Sequence, residues 1–242
     1  MWDWAAFLHY LHSVYLIKGA GITLGLSVAS MVLGLACGLV AALMRNSSNQ
    51  LLSRPAKGYI WIMRGTPVLV QLIIIYTGLP QFGIKLDVLS SAIIGLGVNE
   101  GAYLAETFRA GLMAVPKGQV EAAKALGLSP WQAMRRVVLP QALRIVIPPL
   151  GNSFNGLMKT SSLASVISMD ELLRRTELLI QVQFRVLEIF TVAAIYYLVL
   201  TTLWGFVQQW IEARLARGYA DTTLKPDTVQ AMQASVASHD AM

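Results

Sequence analysis

The chain alternates long apolar runs with short polar segments. Runs without any charged residue extend over 19–44, 65–84 and 189–211. Each reaches the roughly 20 residues that an α-helix needs to cross the hydrocarbon core of a bilayer. These runs therefore predict three membrane-spanning helices.

Two further apolar segments, 88–108 and 145–169, are interrupted by ionisable residues. The first contains Glu100 and Glu106, and the second contains Lys159. A charge at the centre of a membrane helix costs roughly 2.5–3.5 kcal/mol on insertion scales, so these side chains should face a bundle interior or a cavity. Omitting either segment would put the basic loops on opposite sides of the bilayer, so the pattern predicts five spans.

Composition agrees with a membrane protein. Of 242 residues, 55% are hydrophobic and only 13% are charged, with a mean hydropathy of +0.57. Soluble domains carry about 25% charged residues. The predicted fold class is all-α, an integral membrane helical bundle of five transmembrane helices.

Basic residues concentrate on one predicted side of the membrane. The segments 45–64, 109–144 and the chain from 214 onward hold 13 of the 19 Lys and Arg residues. Loops rich in these residues stay in the cytoplasm. We therefore expect a multi-pass protein with its N-terminus outside and its C-terminus in the cytoplasm.

The two ends differ from the transmembrane domain, 19–214. Residues 1–18 place aromatic and aliphatic side chains at helical spacing without the basic start of a signal peptide, which predicts an amphipathic helix at the outer interface. Residues 215–242 are polar and rich in helix-breaking residues, which predicts a disordered cytoplasmic tail.

A charged helix-turn-helix, 116–140, lies between the third and fourth predicted spans, 88–108 and 145–169. Gly127 suits a left-handed helix end, Ser129 an N-cap and Pro130 a first helical position. The second helix is predicted to end near Pro140, where the backbone N–H is missing. Such a polar surface on a membrane protein predicts a soluble partner.

The sequence contains no recognisable catalytic or metal-binding constellation. The three histidines lie near the two ends of the chain, Cys37 is the only cysteine, and no phosphate-binding loop occurs. We predict no catalytic residue, no metal and no cofactor bound by this chain.

The helix-turn-helix contains Glu121-Ala122-Ala123, then Gly127 after three residues and Leu139-Pro140 after eleven more. This pattern resembles the EAA loop of ABC importer permeases. Flanking motifs, among them Arg64-Gly65-Thr66-Pro67 and Ala102-Tyr103-Leu104-Ala105-Glu106, resemble the permeases for polar amino acids, the histidine, glutamine, arginine and opine group. The resemblance covers roughly 19–214. It implies that the following residues couple the permease to an ATPase: Glu121, Ala122, Ala123, Gly127, Leu139 and Pro140.

The resemblance also implies partners and a location. They are two cytoplasmic ATPase subunits that hold ATP and Mg, a second permease subunit of identical or related sequence, and an extracytoplasmic solute-binding protein. The location is the inner membrane of a bacterial cell, in contact with lipid. Two alternatives for the loop are an Ala-rich segment that merely forms a stable helix and a DNA-binding helix-turn-helix. Nucleic acid is not expected as a partner, because adjacent spans prevent the loop from entering a groove.

Polar residues in the two interrupted spans are candidates for the substrate pathway. Prolines 148 and 149 and two glycines could unwind the second of these spans, as in the broken helices of transporters. The candidates are Glu100, Tyr103, Ser153, Asn155, Lys159, Thr160 and Ser161. The alternative is that the Ser and Thr residues only pack helices together.

The predicted substrate is a polar amino acid or close derivative, neutral or acidic rather than cationic. Relatives that carry cationic amino acids often have acidic residues at the positions of Ser153 and Thr160. Lys159 could meet a carboxylate. Structural or gating roles are predicted for Thr66, Pro67, Gln71, Glu106 and Arg109.

Two other functions remain open from the sequence. An ion-gradient-driven secondary transporter or channel could use Glu100 and Glu106 as a proton or sodium site. A scaffold without transport could use the helix-turn-helix to recruit a cytosolic protein.

Overall fold

The computed structural model describes residues 2–220, with side chains as far as residue 215. This part of the chain is helical and contains no strand. The α-helices are α1 Trp4–Leu11, α2 Val14–Arg45, α3 Gln50–Gly65, α4 Val68–Ile73, α5 Val88–Met113, α6 Lys117–Ala125, α7 Pro130–Ala133, α8 Leu139–Thr160, α9 Leu172–Gln183 and α10 Val186–Ala220. Single π turns, Ile74–Gly78 and Met134–Val138, follow α4 and α7, and 3-10 segments, Leu79–Phe82 and Ser161–Ile167, follow the first π turn and α8.

Three of these helices are long and apolar enough to cross a membrane. They are α2, α5 and the Val186–Leu215 part of α10. A fourth crossing is possible if α3 and the segment Val68–Phe82 form one span, although a bend of 107° separates them. The all-α membrane fold is confirmed. The count of five spans stays a prediction, because α8 is not among the helices that are long and apolar enough to cross a membrane.

Helix α8 is continuous where the sequence predicted unwinding. The α-helix runs through Pro148 and Pro149 to Thr160. Donors from α10 bond to backbone carbonyls beside the prolines: Trp204 Nε1 donates to the Gly151 oxygen at 2.8 Å, and Gln208 Nε2 donates to the Pro148 oxygen at 3.4 Å. The α-helix therefore accommodates both prolines, and the predicted unwinding is wrong.

The second helix of the helix-turn-helix does not end at Pro140. Instead α7 continues through the π turn into α8, and the Leu139 N–H donates to the Met134 oxygen. Pro140 removes only one backbone donor, and the carbonyls on the preceding turn belong to Arg135 and Arg136, which are exposed to water. The prediction of two short helices is therefore wrong, and the second helix is the start of a long one.

The break in helical structure lies between α3 and α4. Thr66 and Pro67 adopt extended backbone conformations there. Gln71 is buried, and its Nε2 donates to the Met63 and Thr66 carbonyl oxygens at 3.0 and 3.1 Å. Asn99 on α5 donates to the Gln71 Oε1 at 3.1 Å and to the Met63 oxygen at 3.0 Å. Two amides thus satisfy the backbone groups that the break exposes.

Helices α2 and α5 pack together along a seam of glycines. Gly34 and Gly38 on α2 face Gly97 and Gly101 on α5. A Cβ added at Gly38 would lie 2.9 Å from the Gly101 carbonyl oxygen and 2.8 Å from the Leu104 Cβ. Only glycine permits this approach, which is typical of helix pairs in membranes.

Polar contacts fix the end of the bundle at which α9 begins. The carboxylate of Glu171 is fully buried and caps α9 by accepting the Leu173 and Arg174 backbone N–H groups. It also accepts hydrogen bonds from the hydroxyls of Thr23 on α2, at 3.3 Å, and Tyr197 on α10, at 3.0 Å. One carboxylate therefore ties three helices together.

At both ends of the chain, the helices begin and end at other residues than the sequence predicted. Within residues 1–18, only α1 forms a separate helix, and α2 already begins at Val14. Asp3 caps α1, and the Ala6 backbone N–H holds the pKa of its carboxyl below the usual value. At the other end α10 continues to Ala220, into the segment predicted as a tail, and residues 221–242 lie outside the described residues.

Substitution of Gly38 by Ala should destabilise the bundle, because the new methyl group meets backbone atoms of α5. Overpacking of this kind costs about 1–3 kcal/mol and should lower the Tm by about 2–10 °C. The matched control is Gly25→Ala, on the same helix, where an added Cβ meets nothing within 4 Å. Thermal unfolding in detergent, followed by tryptophan fluorescence, checks this. Equal Tm values for the two variants would contradict the close packing of α2 against α5 at Gly38.

Candidate functional site

A cavity of about 390 Å³ lies beside the break between α3 and α4, and we call it the upper cavity. Helices α5 and α8 form its other walls. Its lining residues are Thr66, Pro67, Val68, Asn99, Glu100, Tyr103, Ser153, Gly156, Leu157 and Thr160. The broken helix thus opens the space, and two intact helices supply most of the polar groups.

The upper cavity is polar but carries a single ionisable acid. Glu100 is half-buried, and Ser153 on α8 faces it. The other polar groups are hydroxyls and the amide of Asn99, and no Lys or Arg among the described side chains lines the cavity. This set can bind one ammonium group through Glu100 and further neutral groups through hydrogen bonds.

The structure brings together some of the predicted pathway residues and separates others. Glu100, Tyr103, Ser153 and Thr160 line the upper cavity, together with the predicted gating residues Thr66 and Pro67. The remaining three predicted residues, Asn155, Lys159 and Ser161, do not line it.

Lys159 is exposed on α8, and Ser161 is buried with its hydroxyl donating to the Met158 oxygen at 2.8 Å. Sequence reasoning missed Asn99, which both lines the cavity and supports Gln71. Its position directly before Glu100 in an apolar segment was the available signal.

A second cavity, of about 460 Å³, lies next to the first, and we call it the lower cavity. Tyr103 lines both cavities, and the guanidinium carbon of Arg64 lies 5.4 Å from the centre of its ring. The lining residues are Arg45, Lys57, Ile60, Trp61, Arg64, Gly65, Tyr103 and Glu106. The side chains that line the lower cavity are therefore mainly basic and aromatic.

Glu106 lies between two arginines in the lower cavity. Its carboxylate forms ion pairs with Arg45, at the end of α2, and with Arg109, one turn along α5, at 3.1 Å. Glu106 and Arg109 lie three residues apart on one helix, a spacing that permits an ion pair, whereas Arg45 comes from α2. The additional arginine joins the ends of α2 and α5.

The helix-turn-helix has the predicted turn. Gly127 has a φ of +75°, its N–H donates to the Lys124 oxygen, and the Leu128 N–H donates to the Ala123 oxygen. Ser129 caps α7 in a reciprocal pair of hydrogen bonds with Gln132, and Pro130 takes the first helical position. These local sequence signals are confirmed.

The surface of this loop is available to another protein. Glu121, Ala122, Gly127, Leu139 and Pro140 are exposed, whereas Ala123 is buried against the rest of the loop. Large apolar side chains surround the turn: Leu126 is 82% exposed, Trp131 70% and Met134 41%. Exposed apolar side chains clustered on a polar loop mark a protein contact surface.

The chain has relatives of known class over most of its length. Residues 34–217 match the family described as binding-protein-dependent transport system inner membrane component. The chain is 42% identical to the probable amino-acid ABC transporter permease protein YckA of Bacillus subtilis (strain 168), over 84% of this chain and 89% of the relative. It is 38% identical to the glutamine transport system permease protein GlnP of Escherichia coli (strain K12), over 88% and 97%.

A solved structure supports the same assignment. A chain from the crystal structure of an amino acid ABC transporter with histidines superposes with a TM-score of 0.83 at 37% identity, covering 88% of this chain and 99% of that chain. The family match, the curated relatives and the solved structure all cover the helices that form the two cavities and the helix-turn-helix. The chain therefore belongs to the family of inner membrane components of binding-protein-dependent transport systems.

Proposed function

We propose that this chain is the permease subunit of an ATP-driven importer for a neutral polar amino acid. The upper cavity carries this proposal, because it combines one carboxylate with hydroxyl and amide groups at the break of a membrane helix. Two ATPase subunits, a second permease subunit and an extracytoplasmic solute-binding protein complete the transporter.

The charge of the upper cavity favours a zwitterion with an uncharged side chain. Glu100 can pair with the α-ammonium group, while the Ser153, Thr160 and Thr66 hydroxyls can bond to neutral polar atoms. A cationic side chain would lack a second carboxylate there. An acidic side chain would lack a cation, because Lys159 does not line the cavity.

The helix-turn-helix is the proposed site of ATPase coupling. Its exposed Leu126, Trp131 and Met134 can enter an apolar cleft, while Glu121 can meet a basic group at the rim. The turn at Gly127 sets the angle at which α6 and α7 present these side chains. ATP and Mg would bind to the partner subunits.

A second permease subunit is proposed from the exposed break between α3 and α4. Gly65, Thr66 and Pro67 are exposed, although the break lies beside Glu100 in the middle of α5. Irregular backbone at membrane depth requires cover by protein or a water-filled cavity. A second copy or a related permease facing this side would enclose such a cavity.

The gradient-driven alternative finds less support. Glu106, one of its two proposed ion-binding acids, is held by Arg45 and Arg109 and is not available for a proton or a sodium ion. Family membership also favours ATP-driven import.

Reconstitution of the complete transporter in liposomes tests the proposal. Uptake of radiolabelled glutamine should require ATP inside, a binding protein outside and both ATPase subunits. Uptake that follows an imposed proton or sodium gradient without ATP would contradict it. No uptake of any amino acid from a panel of neutral, acidic and cationic substrates would also overturn it.

Substitution of Gly127 by Ala should weaken coupling, because a side chain at φ +75° strains the turn. The expected cost of about 1–2 kcal/mol corresponds to a loss of ATPase binding and uptake of about five- to thirtyfold. The matched control is Gly118→Ala, on α6 in the same loop, where an added Cβ meets nothing within 4 Å. Co-purification of the ATPase and uptake by proteoliposomes are measured together. Full ATPase binding and uptake by the Gly127 variant would contradict a role of this turn in coupling.

Substitution of Ser153 by Asp should shift selectivity toward cationic amino acids, because it adds a second carboxylate beside Glu100. The ratio of arginine to glutamine uptake should rise about tenfold, as expected for one new charge-assisted hydrogen bond. The matched control is Asn155→Asp, on the same helix but outside the cavity lining. Competition uptake with both labelled amino acids gives the ratio. An equal shift in both variants would exclude a specific role for the cavity.

A further inference from the structure

The lower cavity has an excess of positive charge. Arg45, Lys57 and Arg64 line it, while Glu106 is its only acid. Lys57 and Arg64 lie seven residues apart on α3 and therefore share one face of that helix. The cations thus point into one space from α3 and from the end of α2.

Two of these cations lack a carboxylate partner. Glu106 is already paired with Arg45 and Arg109. Among the described side chains, neither Lys57 nor Arg64 lies within ion-pair distance of an acid. Arg64 is held over the ring of Tyr103 instead. A cavity with unbalanced charge attracts ions of the opposite sign.

The lower cavity follows the upper cavity along α5. Glu100, Tyr103 and Glu106 recur at a spacing of three residues, so they lie along one side of the helix. Gly65 lines the lower cavity and the next residue, Thr66, lines the upper one. A molecule that leaves the upper cavity toward the basic end of the bundle passes Tyr103 and enters the lower cavity.

The charges on the two sides of Tyr103 are opposite. The upper cavity offers the carboxylate of Glu100, and the lower cavity offers the guanidinium of Arg64 and the ammonium of Lys57. A zwitterionic amino acid carries the complementary pair of charges. A guanidinium also presents two parallel N–H groups that match a carboxylate.

We propose that the lower cavity is an exit site in which Arg64 and Lys57 bind the carboxylate of the amino acid on its way to the cytoplasm. The inference rests on the proposed function, since it requires an amino acid in the upper cavity. It adds a second binding site, specific for the carboxylate, to the pathway.

The test compares charge-removing variants of α3 in the complete transporter. Lys57→Gln and Arg64→Gln, singly and together, should lower glutamine uptake, and the double variant should lose about tenfold, as expected for one charge-assisted hydrogen bond. ATP hydrolysis stimulated by the binding protein should fall less than uptake, so that fewer molecules enter per ATP. The matched control is Arg54→Gln, which is exposed on the same helix but does not line the cavity.

Lipid composition separates a substrate carboxylate from a lipid phosphate. The loss of uptake should persist in liposomes of neutral phosphatidylcholine. A loss that occurs only with anionic phosphatidylglycerol would assign the cations to lipid headgroups and overturn the proposal. Uptake per ATP equal to that of the Arg54 variant would also overturn it. If liposomes that contain the wild-type transporter show no uptake, the proposed function itself is refuted.

A chemical probe keeps the proposal testable if the double variant does not assemble. Cys37 is the only native cysteine, so Trp61→Cys in a Cys37→Ser background gives a single thiol in the lower cavity. Relative to a free thiol in solution, it should react about fivefold faster with an anionic than with a cationic methanethiosulfonate reagent, because of the local positive charge. Arg64→Gln alone should reduce this preference and Arg54→Gln should not. Equal rates for both reagents would refute an anion site.

Discussion

The need to satisfy every backbone polar group at membrane depth governs the centre of this protein. The chain breaks a helix between Thr66 and Pro67, beside Glu100, where no lipid can bond to the freed carbonyls. Gln71 and Asn99 supply the missing donors from two different helices. These amides thus stabilise the break that lies beside the polar cavity.

The glycine seam between α2 and α5 determines where the charged residues at the ends of these two helices lie. Because α2 and α5 approach at Gly38 and Gly101, their ends bring Arg45 beside Glu106. The ion pair with Arg109 then neutralises a carboxylate near the end of the bundle. Small residues in one part of the interface thus determine which charges meet in another.

Local signals in the sequence predicted local structure well, and long-range contacts were harder to predict. The turn at Gly127, Ser129 and Pro130 forms as expected, because each residue acts on its own backbone. The prolines of α8 did not unwind it, and the contacts that α10 makes with the Gly151 and Pro148 carbonyls lie beyond any local signal. The grouping of Glu100, Ser153 and Thr160 was partly anticipated by the family resemblance, whereas Arg45 and Asn99 enter the cavities through packing that no sequence spacing records.

The continuity of α7 with α8 makes the helix-turn-helix one end of a lever. Contiguous helical segments run from Pro130 to Thr160, about 45 Å at 1.5 Å per residue. Val146 of this helical segment packs against Gly111 of α5, and the helix could tilt about this contact. A tilt of about 10° there displaces the Thr160 end, some 21 Å away, by about 4 Å. If the proposed ATPase contact moves Trp131, this long helical segment would carry the displacement to Ser153 and Thr160 in the wall of the upper cavity.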